Sequence, residues 1–285
     1  DALSTSPLHL KRHFQLHSLR PICSTGSPLS PDGYDYILSN IKSDVQIASI
    51  SGGTDLLSCF VLSNPISSVI KGEIQCRALG MDVDIFDENR ESLIDQEGEL
   101  VCKNPFPSMP VKFWNDQNGK KYKEAYFEKF VGVWRHGDWA KITKRGTIVI
   151  YGRSDATLNP AGVRIGTAEI YNTVEKLNEV IECIVIAQNW NNDVRIVLFI
   201  KLRSGHELTE KLKGKLIHQI RTNLTPRHIP AKIIAVPDIP RTRSGKITEL
   251  AVRDIVHGKE IKNKEALANP EALIHFSNIP DLSKD

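Results

Sequence analysis

A short polar loop near the end of the chain carries three basic side chains. It reads Pro240-Arg241-Thr242-Arg243-Ser244-Gly245-Lys246, and a lysine that follows a glycine turn can reach a phosphate as a point charge. The loop is not a P-loop of the G-x-x-x-x-G-K-[ST] type, because Pro240 stands at the first glycine position and Ile247 replaces the Ser or Thr. Taken alone, the pattern favours an ordinary solvated basic loop.

Two further segments combine glycine with charged side chains. In Trp134-Arg135-His136-Gly137-Asp138 a carboxylate follows a glycine after a β-like run, and such a carboxylate can accept hydrogen bonds from both hydroxyls of a ribose. Downstream of Gly152-Arg153-Ser154-Asp155, two glycines, Gly162 and Gly166, flank Arg164 and allow a tight backbone beside a ligand. An ordinary turn explains the first segment better, and the second nearly as well, when each is taken alone.

The elements that must position these segments follow three successive patterns. A strand predicted over residues 45–50 runs into the polar turn Ser51-Gly52-Gly53-Thr54-Asp55. Residues from about 66 to 151 alternate apolar and polar side chains in short runs separated by turns, which predicts a small β-rich lobe. Residues from about 156 to 256 alternate helical and β-like patterns, which predicts a small α/β domain followed by a polar tail.

Within the predicted α/β domain, apolar residues recur at helical spacing in two places. One helix is predicted behind Thr167 as N-cap, with apolar positions as far as Ile181, and the other over residues 207–224. Because no long linker separates this domain from the β-rich lobe, we interpret residues 152–155 as a hinge.

The composition excludes several classes of protein. The 285 residues carry a net charge of +3 from 37 basic and 34 acidic side chains, which is too balanced for a typical nucleic-acid binder. No stretch approaches the roughly 20 apolar residues of a membrane span, and no signal-peptide pattern opens the chain, so we expect a cytosolic protein. The first residue is Asp1 rather than Met, and we expect the chain to be a piece of something longer. Five cysteines without C-x-x-C spacing predict reduced thiols rather than disulfides or zinc: Cys23, Cys59, Cys76, Cys102 and Cys183.

The order and spacing of the segments resemble the C-terminal portion of the acyl-adenylate-forming superfamily of acyl-CoA synthetases, adenylation domains and luciferases. Within it, the chain is most similar to the acetoacetyl-CoA synthetase branch. The resembling segments cover nearly the whole chain: Ser24-Thr25-Gly26-Ser27-Pro28-Leu29-Ser30, Ser51 to Asp55, His136-Gly137-Asp138, Tyr151 to Asp155 with Gly162 to Ile170, and Pro240 to Lys246.

The resemblance implies an α/β fold in two parts. Residues 1–151 would be the C-terminal part of a large adenylate-forming domain, a sheet plus the β-rich lobe. Residues 152–155 would be the hinge, and residues 156–285 a small mobile α/β domain with a polar tail.

The resemblance also implies a role for each matched residue. Lys246 would be the catalytic lysine of adenylation, Asp155 the hinge, and Asp55 the Mg²⁺ ligand, where the family usually has a longer Glu. Six residues would bind ATP or AMP through its adenine, ribose and α-phosphate: Gly26, Ser27, Pro28, Asp138, Arg153 and Thr54. Three would serve the conformation that admits CoA: Gly162, Arg164 and Arg221.

The implied activity is that of an ATP-dependent acid:CoA ligase. It would activate acetoacetate as an acyl-adenylate and transfer it to CoA, with release of AMP and pyrophosphate, in the use of ketone bodies for lipid synthesis. A carboxylate is itself the nucleophile, so the chemistry needs orientation and charge stabilisation rather than a general base. Acetate enzymes of the family place a Trp in the acyl pocket where this chain has Ser51, Gly52 and Gly53, which implies room for a four-carbon keto acid.

Two alternatives stay open at this point. The longer protein could use another short- or medium-chain acid. The family's Gly-, Ser- and Thr-rich loop for the β- and γ-phosphates is not found in residues 1–285, which favours an inactive isolated chain and leaves open a non-catalytic fragment or isoform. In either case the expected partners are small molecules, with no nucleic acid and no membrane span.

Overall fold

The computed structural model describes residue 3, residues 8–261 and residues 264–284. The chain divides into two compact units, residues 1–150 and residues 151–285. No helix among the described residues is both long enough and apolar enough to cross a membrane.

The described residues of the first unit form three short helices and nine strands. Its helices are α1 (Leu10–His13), α2 (Pro31–Tyr36), which continues as a π-helical turn over Ile37–Ile41, and α3 (Lys120–Tyr126). Its strands are β1 (Pro21–Ser24), β2 (Gln46–Ser49), β3 (Ser51–Gly53), β4 (Ser58–Leu62), β5 (Cys76–Arg77), β6 (Val83–Phe86), β7 (Glu97–Cys102), β8 (Trp134–Ile142) and β9 (Ile148–Arg153), whose last residues run on into the second unit.

Strands β1 and β2 form a parallel pair in which Ser24 lies opposite Ser49. Beyond the pair, the Ile50 N–H donates to the Ser24 carbonyl at 2.9 Å. The hydroxyl of Ser30 caps α2 by accepting from the Gly33 N–H at 3.2 Å. Both strands therefore deliver their following loops to one edge of the sheet.

The β-rich part of the first unit consists of two antiparallel sheets, ordered β3-β4-β5 and β6-β7-β8-β9. Its apolar core lies between them and includes Phe60, Val83, Ile85, Leu100 and Trp134, all almost fully buried. This core supports β3 and β8, the two strands that carry predicted site residues.

The second unit is built on a three-stranded sheet ordered β10-β11-β12. Strand β10 pairs antiparallel with β11, and β11 pairs parallel with β12. The strands are β10 (Val180–Trp190), β11 (Asp193–Leu202) and β12 (Lys232–Ala235), and the helices are α4 (Thr167–Val174), α5 (Glu210–Asn223) and α6 (Glu249–Val256). Short 3₁₀ turns cover Pro160–Gly162, Pro226–His228, Lys264–Ala266, Pro270–Phe276 and Pro280–Ser283.

The two faces of this sheet are covered by different elements. Alternate residues of β10 and β11 pack against α4 and α5 on one face and against α6 and the 3₁₀ turns after it on the other. The Phe276 ring lies edge-on to Phe199 at 4.9 Å, and Leu282 is also buried. The described residues after 263 therefore do not form the predicted polar tail. Their apolar residues lie in 3₁₀ turns and lack the regular spacing of an α-helix, so the sequence pattern does not reveal that they are buried.

The predicted start of α4 is also one residue late. Thr167 is the first residue of the helix, and Gly166 precedes it and donates its N–H to the Glu169 carboxylate at 3.2 Å. The helix ends at Val174, so Ile181 belongs to β10 instead. The helix predicted over residues 207–224 corresponds to α5, with Thr209 as its N-cap.

Candidate active site

The first group of predicted site residues lies in the segments that follow β1 and β2. Gly26, Ser27 and Pro28 follow β1 after one intervening residue, and β3 begins two residues after β2 ends. Gly26 has a φ of +95°, a left-handed conformation that glycine adopts without strain. Crevices beyond the carboxyl ends of parallel strands are the usual ligand sites of α/β sheets.

Asp138 lies in a bulge of β8 beside β3. The register of β7 and β8 passes from Glu99–Trp139 to Arg135–Val101, so residues 136–138 bulge opposite Leu100, and Gly137 has a φ of +82°. Bulges of this kind re-aim side chains near active sites. Asp138 is only 8% exposed.

Two neighbours fix the Asp138 carboxylate. The Ser51 hydroxyl donates to Asp138 Oδ2 at 3.2 Å, and His136 Nε2 lies 3.7 Å from the same oxygen. The His136 ring itself lies edge-on to Phe60, with 4.8 Å between ring centres. The structure thus brings Ser51, His136 and Asp138 together, although they come from two different sheets.

The two glycines of β3 have different surroundings. A Cβ on Gly52 would lie 2.2 Å from the Ser58 carbonyl oxygen and 2.4 Å from Cys59 Cα, whereas a Cβ on Gly53 would lie 3.1 Å from His136 Cε1. This corrects the expectation for Gly52: a side chain there would meet the backbone of β4 rather than open space. Gly52 is small because β4 passes so close.

Thr54 and Asp55 lie exposed in the turn between β3 and β4. The Tyr126 hydroxyl, at the end of α3, donates to Asp55 Oδ2, and the Tyr126 ring stacks on Trp134 at 3.6 Å between ring centres. Asp55 is therefore held in place by an aromatic side chain anchored in the core.

In the second unit, Arg153 and Asp155 form an exposed pair. Arg153 Nε lies 3.4 Å from Asp155 Oδ1, and Arg253 of α6 donates to the Asp155 carbonyl at 3.0 Å. Gly152 has a φ of +127°, and a Cβ on it would lie 2.9 Å from Thr167 Oγ1. The predicted hinge residues thus have specific contacts with α4 and α6.

The loop before α4 has a tightly constrained backbone. Ala161 adopts a φ of +50° and Gly162 a φ of +77°, and the Ala161 N–H donates to the Asp193 carboxylate at 3.0 Å. A Cβ on Gly166 would lie 2.6 Å from the Tyr151 carbonyl oxygen. Arg164, between the two glycines, is half-buried.

Lys246 is exposed and follows a compact turn. The Thr242 N–H donates to the Lys246 carbonyl at 2.9 Å, and the Gly245 N–H donates to the Thr242 carbonyl at 2.8 Å. Gly245 has a φ of +81°, which favours glycine at this position. Arg221 lies exposed in the last turn of α5.

Two buried carboxyl groups of the second unit have raised pKa values. Burial raises the pKa of Glu175 to about 7, and the nearby Glu182 carboxylate adds to the effect. Burial also raises the pKa of Glu249, although the hydroxyls of Tyr171 and Thr167 donate to it and oppose the shift. Glu249 stands three residues after Lys246, and through Thr167 it joins the start of α6 to the start of α4.

Several contacts of the site could not be found in the sequence. Tyr126 lies 71 positions from Asp55, and Arg253 lies 98 positions from Asp155. No local pattern marks either side chain, since each is an ordinary member of a short helix. His136 was within a recognised motif, yet its contact with Asp138 depends on the bulge.

Known proteins are similar to this chain in sequence and in fold. Residues 169–246 match the AMP-binding enzyme C-terminal domain. The chain is 58% identical over 282 residues to an acetoacetyl-coenzyme A synthetase of Rhizobium meliloti, covering 99% of this chain and 43% of that protein. Over nearly its whole length the chain is similar to AMP-binding, acyl-adenylate-forming enzymes. The resemblance inferred from motif order and the predicted α/β fold class are therefore confirmed.

Two further relatives give the same picture. An acetoacetyl-CoA synthetase of Xenopus tropicalis is 48% identical over 269 residues, with coverage of 94% of this chain and 40% of that protein. The solved structure of acetoacetyl-CoA synthetase from Streptomyces lividans is 40% identical and superposes with a TM-score of 0.89, over 96% of this chain and 43% of that one. The chain spans about two fifths of the length of the relatives it matches.

Proposed function

We propose that the chain is the C-terminal part of an ATP-dependent acid:CoA ligase, one that activates acetoacetate as an acyl-adenylate and passes the acyl group to CoA. The observation that carries this proposal is the 58% identity, over 99% of the chain, with an acetoacetyl-coenzyme A synthetase. The activity is proposed for the longer protein, because the chain spans only about two fifths of that relative.

In the first unit, the nucleotide would bind beyond the edge of β1 and β2. We assign the adenine to Gly26, Ser27 and Pro28, and the α-phosphate to Thr54. Asp138 would accept hydrogen bonds from the ribose hydroxyls, with Arg153 assisting. The contact with Ser51 supports this assignment, because a carboxylate fixed before the ligand arrives loses less entropy on binding.

Lys246 would act in the first half-reaction. Its ammonium group would lie between the substrate carboxylate and the α-phosphate, and it would stabilise the negative charge that gathers as the carboxylate oxygen attacks phosphorus and pyrophosphate leaves. The reaction needs no proton transfer at this step, so a fixed cation is sufficient. The exposure of Lys246 directly after a compact turn supports this role.

Asp55 is the side chain that would hold Mg²⁺. Mg²⁺ commonly binds through one or two carboxylates together with substrate phosphates and water, and the described residues contain no cluster of three ligating side chains. A single exposed carboxylate held by Tyr126 fits such a partial ligand set. When bound, the ion would neutralise charge on the pyrophosphate.

The second half-reaction would use other residues of the second unit. We propose that Asp155 is the hinge that lets this unit present Lys246 for adenylation and residues 162–166 for thioester formation. Gly162 and Arg164 would then line the path of the CoA thiol, and Arg221 would contact the CoA nucleotide. The strained backbone at Ala161 supports a functional role for this loop.

The acyl group would lie near β3. Ser51 and Gly53 are small residues next to His136, and we propose that they leave room for the four carbons of acetoacetate. Another short- or medium-chain acid is the competing substrate, and a panel of acids from two to eight carbons in a pyrophosphate-release assay decides between them.

The decisive experiment separates the two half-reactions in the full-length protein. Lys246→Ala should lower acetoacetyl-AMP formation by about 10²- to 10³-fold and leave thioester formation from pre-made acetoacetyl-AMP nearly unchanged. Lys215→Ala, which removes a surface partner of Glu179, is the control and should leave both unchanged. Equal loss of both half-reactions in Lys246→Ala would refute the assigned role.

A further inference from the structure

The turn that carries Lys246 rests on a closed circuit of contacts among five residues from four segments of the second unit. We call this circuit the clamp. Its members are Glu182, Lys201, Asp238, Arg241 and Asn269.

Arg241 connects the clamp to the turn. One terminal nitrogen of its guanidinium donates to the Gly245 carbonyl at 2.8 Å, which belongs to the peptide bond leading into Lys246. The other terminal nitrogen donates to the Glu182 carboxylate on β10. A planar guanidinium can make both contacts in a fixed geometry, whereas a lysine at this position has a single donor atom.

The remaining contacts return to Arg241 by another route. Lys201 lies 3.5 Å from Glu182 and 2.6 Å from Asp238. Asp238 accepts from the Asn269 amide at 2.7 Å, and the Asn269 side-chain oxygen accepts from the backbone N–H of Arg241 at 2.8 Å. Two carboxylates thus balance two cations. The hydrogen bond to Asp238 also raises the pKa of Lys201, so that lysine stays charged at neutral pH.

The segment that contains Asn269 adds backbone contacts to the same turn. The Arg243 N–H donates to the Ala266 carbonyl at 3.1 Å, and the Ala268 N–H donates to the Arg241 carbonyl at 2.8 Å. The AMP-binding enzyme C-terminal domain match ends at residue 246, so this segment lies outside the matched region. Residues that follow the matched domain therefore help to hold the turn in place.

We propose that Arg241 and Asn269 are positioning residues for Lys246: the clamp fixes the peptide that precedes the lysine, so that its side chain leaves the turn in one direction. The proposal rests on the proposed role of Lys246 in adenylation. An exposed lysine has many rotamers, and a shift of about 1 Å in a reacting group can cost about 10²-fold in rate. Arg241 is accordingly assigned to the backbone of the turn and not to a phosphate.

The test compares Arg241→Ala, Arg241→Lys and Asn269→Ala in the full-length protein. We expect Arg241→Ala and Asn269→Ala to lower kcat for acetoacetyl-AMP formation by about 10- to 100-fold, with little change in KM for ATP. Thioester formation from pre-made acetoacetyl-AMP should be retained, and Arg241→Lys should recover only part of the loss. In a Lys246→Ala background, Arg241→Ala should add no further loss, because a positioning residue acts only through the group it positions.

Arg203→Ala is the matched control, since Arg203 also donates to a backbone carbonyl, that of Asn178 at 2.7 Å, but lies outside the turn. It should leave both half-reactions unchanged. A raised KM for ATP in Arg241→Ala would mean that Arg241 binds phosphate, and equal loss of both half-reactions would mean a general structural defect; either result overturns the proposal. If Lys246→Ala itself spares adenylation, the proposed function fails, whereas an effect of Lys246→Ala without one of Arg241→Ala and Asn269→Ala refutes the clamp alone.

Discussion

In the first unit, Asp138 is buried in a strand bulge and accepts a hydrogen bond from Ser51 of β3. In the second unit, by contrast, Lys246 is exposed on a turn that charged side chains hold in place. The first arrangement depends mainly on close backbone packing between strands. The second depends on ion pairs between partly buried side chains. The two units should therefore respond to different perturbations.

The difference suits the two proposed tasks. A ribose pocket keeps one geometry throughout the reaction, so rigid strands are an appropriate support for it. A lysine that must act in one half-reaction and withdraw in the next needs a turn that moves as a unit without changing shape. A clamp confined to the second unit gives the turn that property.

The largest expected effect tests the backbone packing of the first unit. Gly52→Ala places a Cβ 2.2 Å from the Ser58 carbonyl oxygen, and overpacking against backbone should destabilise this unit by about 3 kcal/mol. Hydrogen exchange of β3, β4 and β8 in the whole chain measures the loss, with the second unit as internal reference. Protection equal to that of the parent chain in these strands would show that Gly52 is not required by packing.

Gly214→Ala is the control for this substitution. Gly214 lies inside α5, and nothing lies within 4 Å of an added Cβ. Replacing a helical glycine by alanine should stabilise the second unit by about 1 kcal/mol. Opposite signs for the two substitutions would separate crowding at Gly52 from any general effect of Gly→Ala.

Local sequence patterns mark candidate site residues more readily than they mark the contacts that support those residues. The glycine-containing motifs and the strand before Ser51 were visible, because each is a local pattern of a few residues. The pairing of β1 with β2, the bulge at Gly137 and the bond from Arg241 to Glu182 join residues that are distant in sequence, so no local periodicity reports them. The clamp also joins residues that are distant in sequence. In addition, Asn269 belongs to a segment whose composition predicts a polar tail.

A second, intermediate effect concerns pH. Burial raises the pKa of Glu175 from its ordinary 4.5 to about 7, with Glu182 adding to the shift and Arg241 opposing it. The folded state binds this proton more tightly than the unfolded state. The contribution of Glu175 to the free energy of unfolding is therefore largest at low pH and is lost as pH rises through 7. The second unit should therefore lose about 2 kcal/mol between pH 5 and pH 7 from this group.

The first unit should behave differently in the same window. Burial of Asp84 opposes ionisation, but hydrogen bonds from Ser92 and Lys103 outweigh it and lower its pKa below the ordinary 3.8, so its contribution is lost only at more acidic pH. Hydrogen exchange of both units at pH 5 and pH 7, in the parent chain and in Glu175→Gln, measures the contrast. An unchanged pH slope of the second unit in Glu175→Gln would show that another group is responsible.

The smallest effect compares matched helix caps in the two units. Ser30 accepts from the Gly33 N–H at 3.2 Å in the first unit, and Thr209 accepts from the Leu212 N–H at 3.2 Å in the second. Either residue replaced by Ala should cost about 1 kcal/mol, and replaced by Gly only a few tenths. Local hydrogen exchange of α2 and α5 measures both.

Since α2 is short and leads out of the Gly26 loop, Ser30→Ala should loosen that loop as well, whereas Thr209→Ala should leave the turn of Lys246 unchanged. Loosening of the Lys246 turn by Thr209→Ala would mean that α5, and not the clamp alone, supports the lysine.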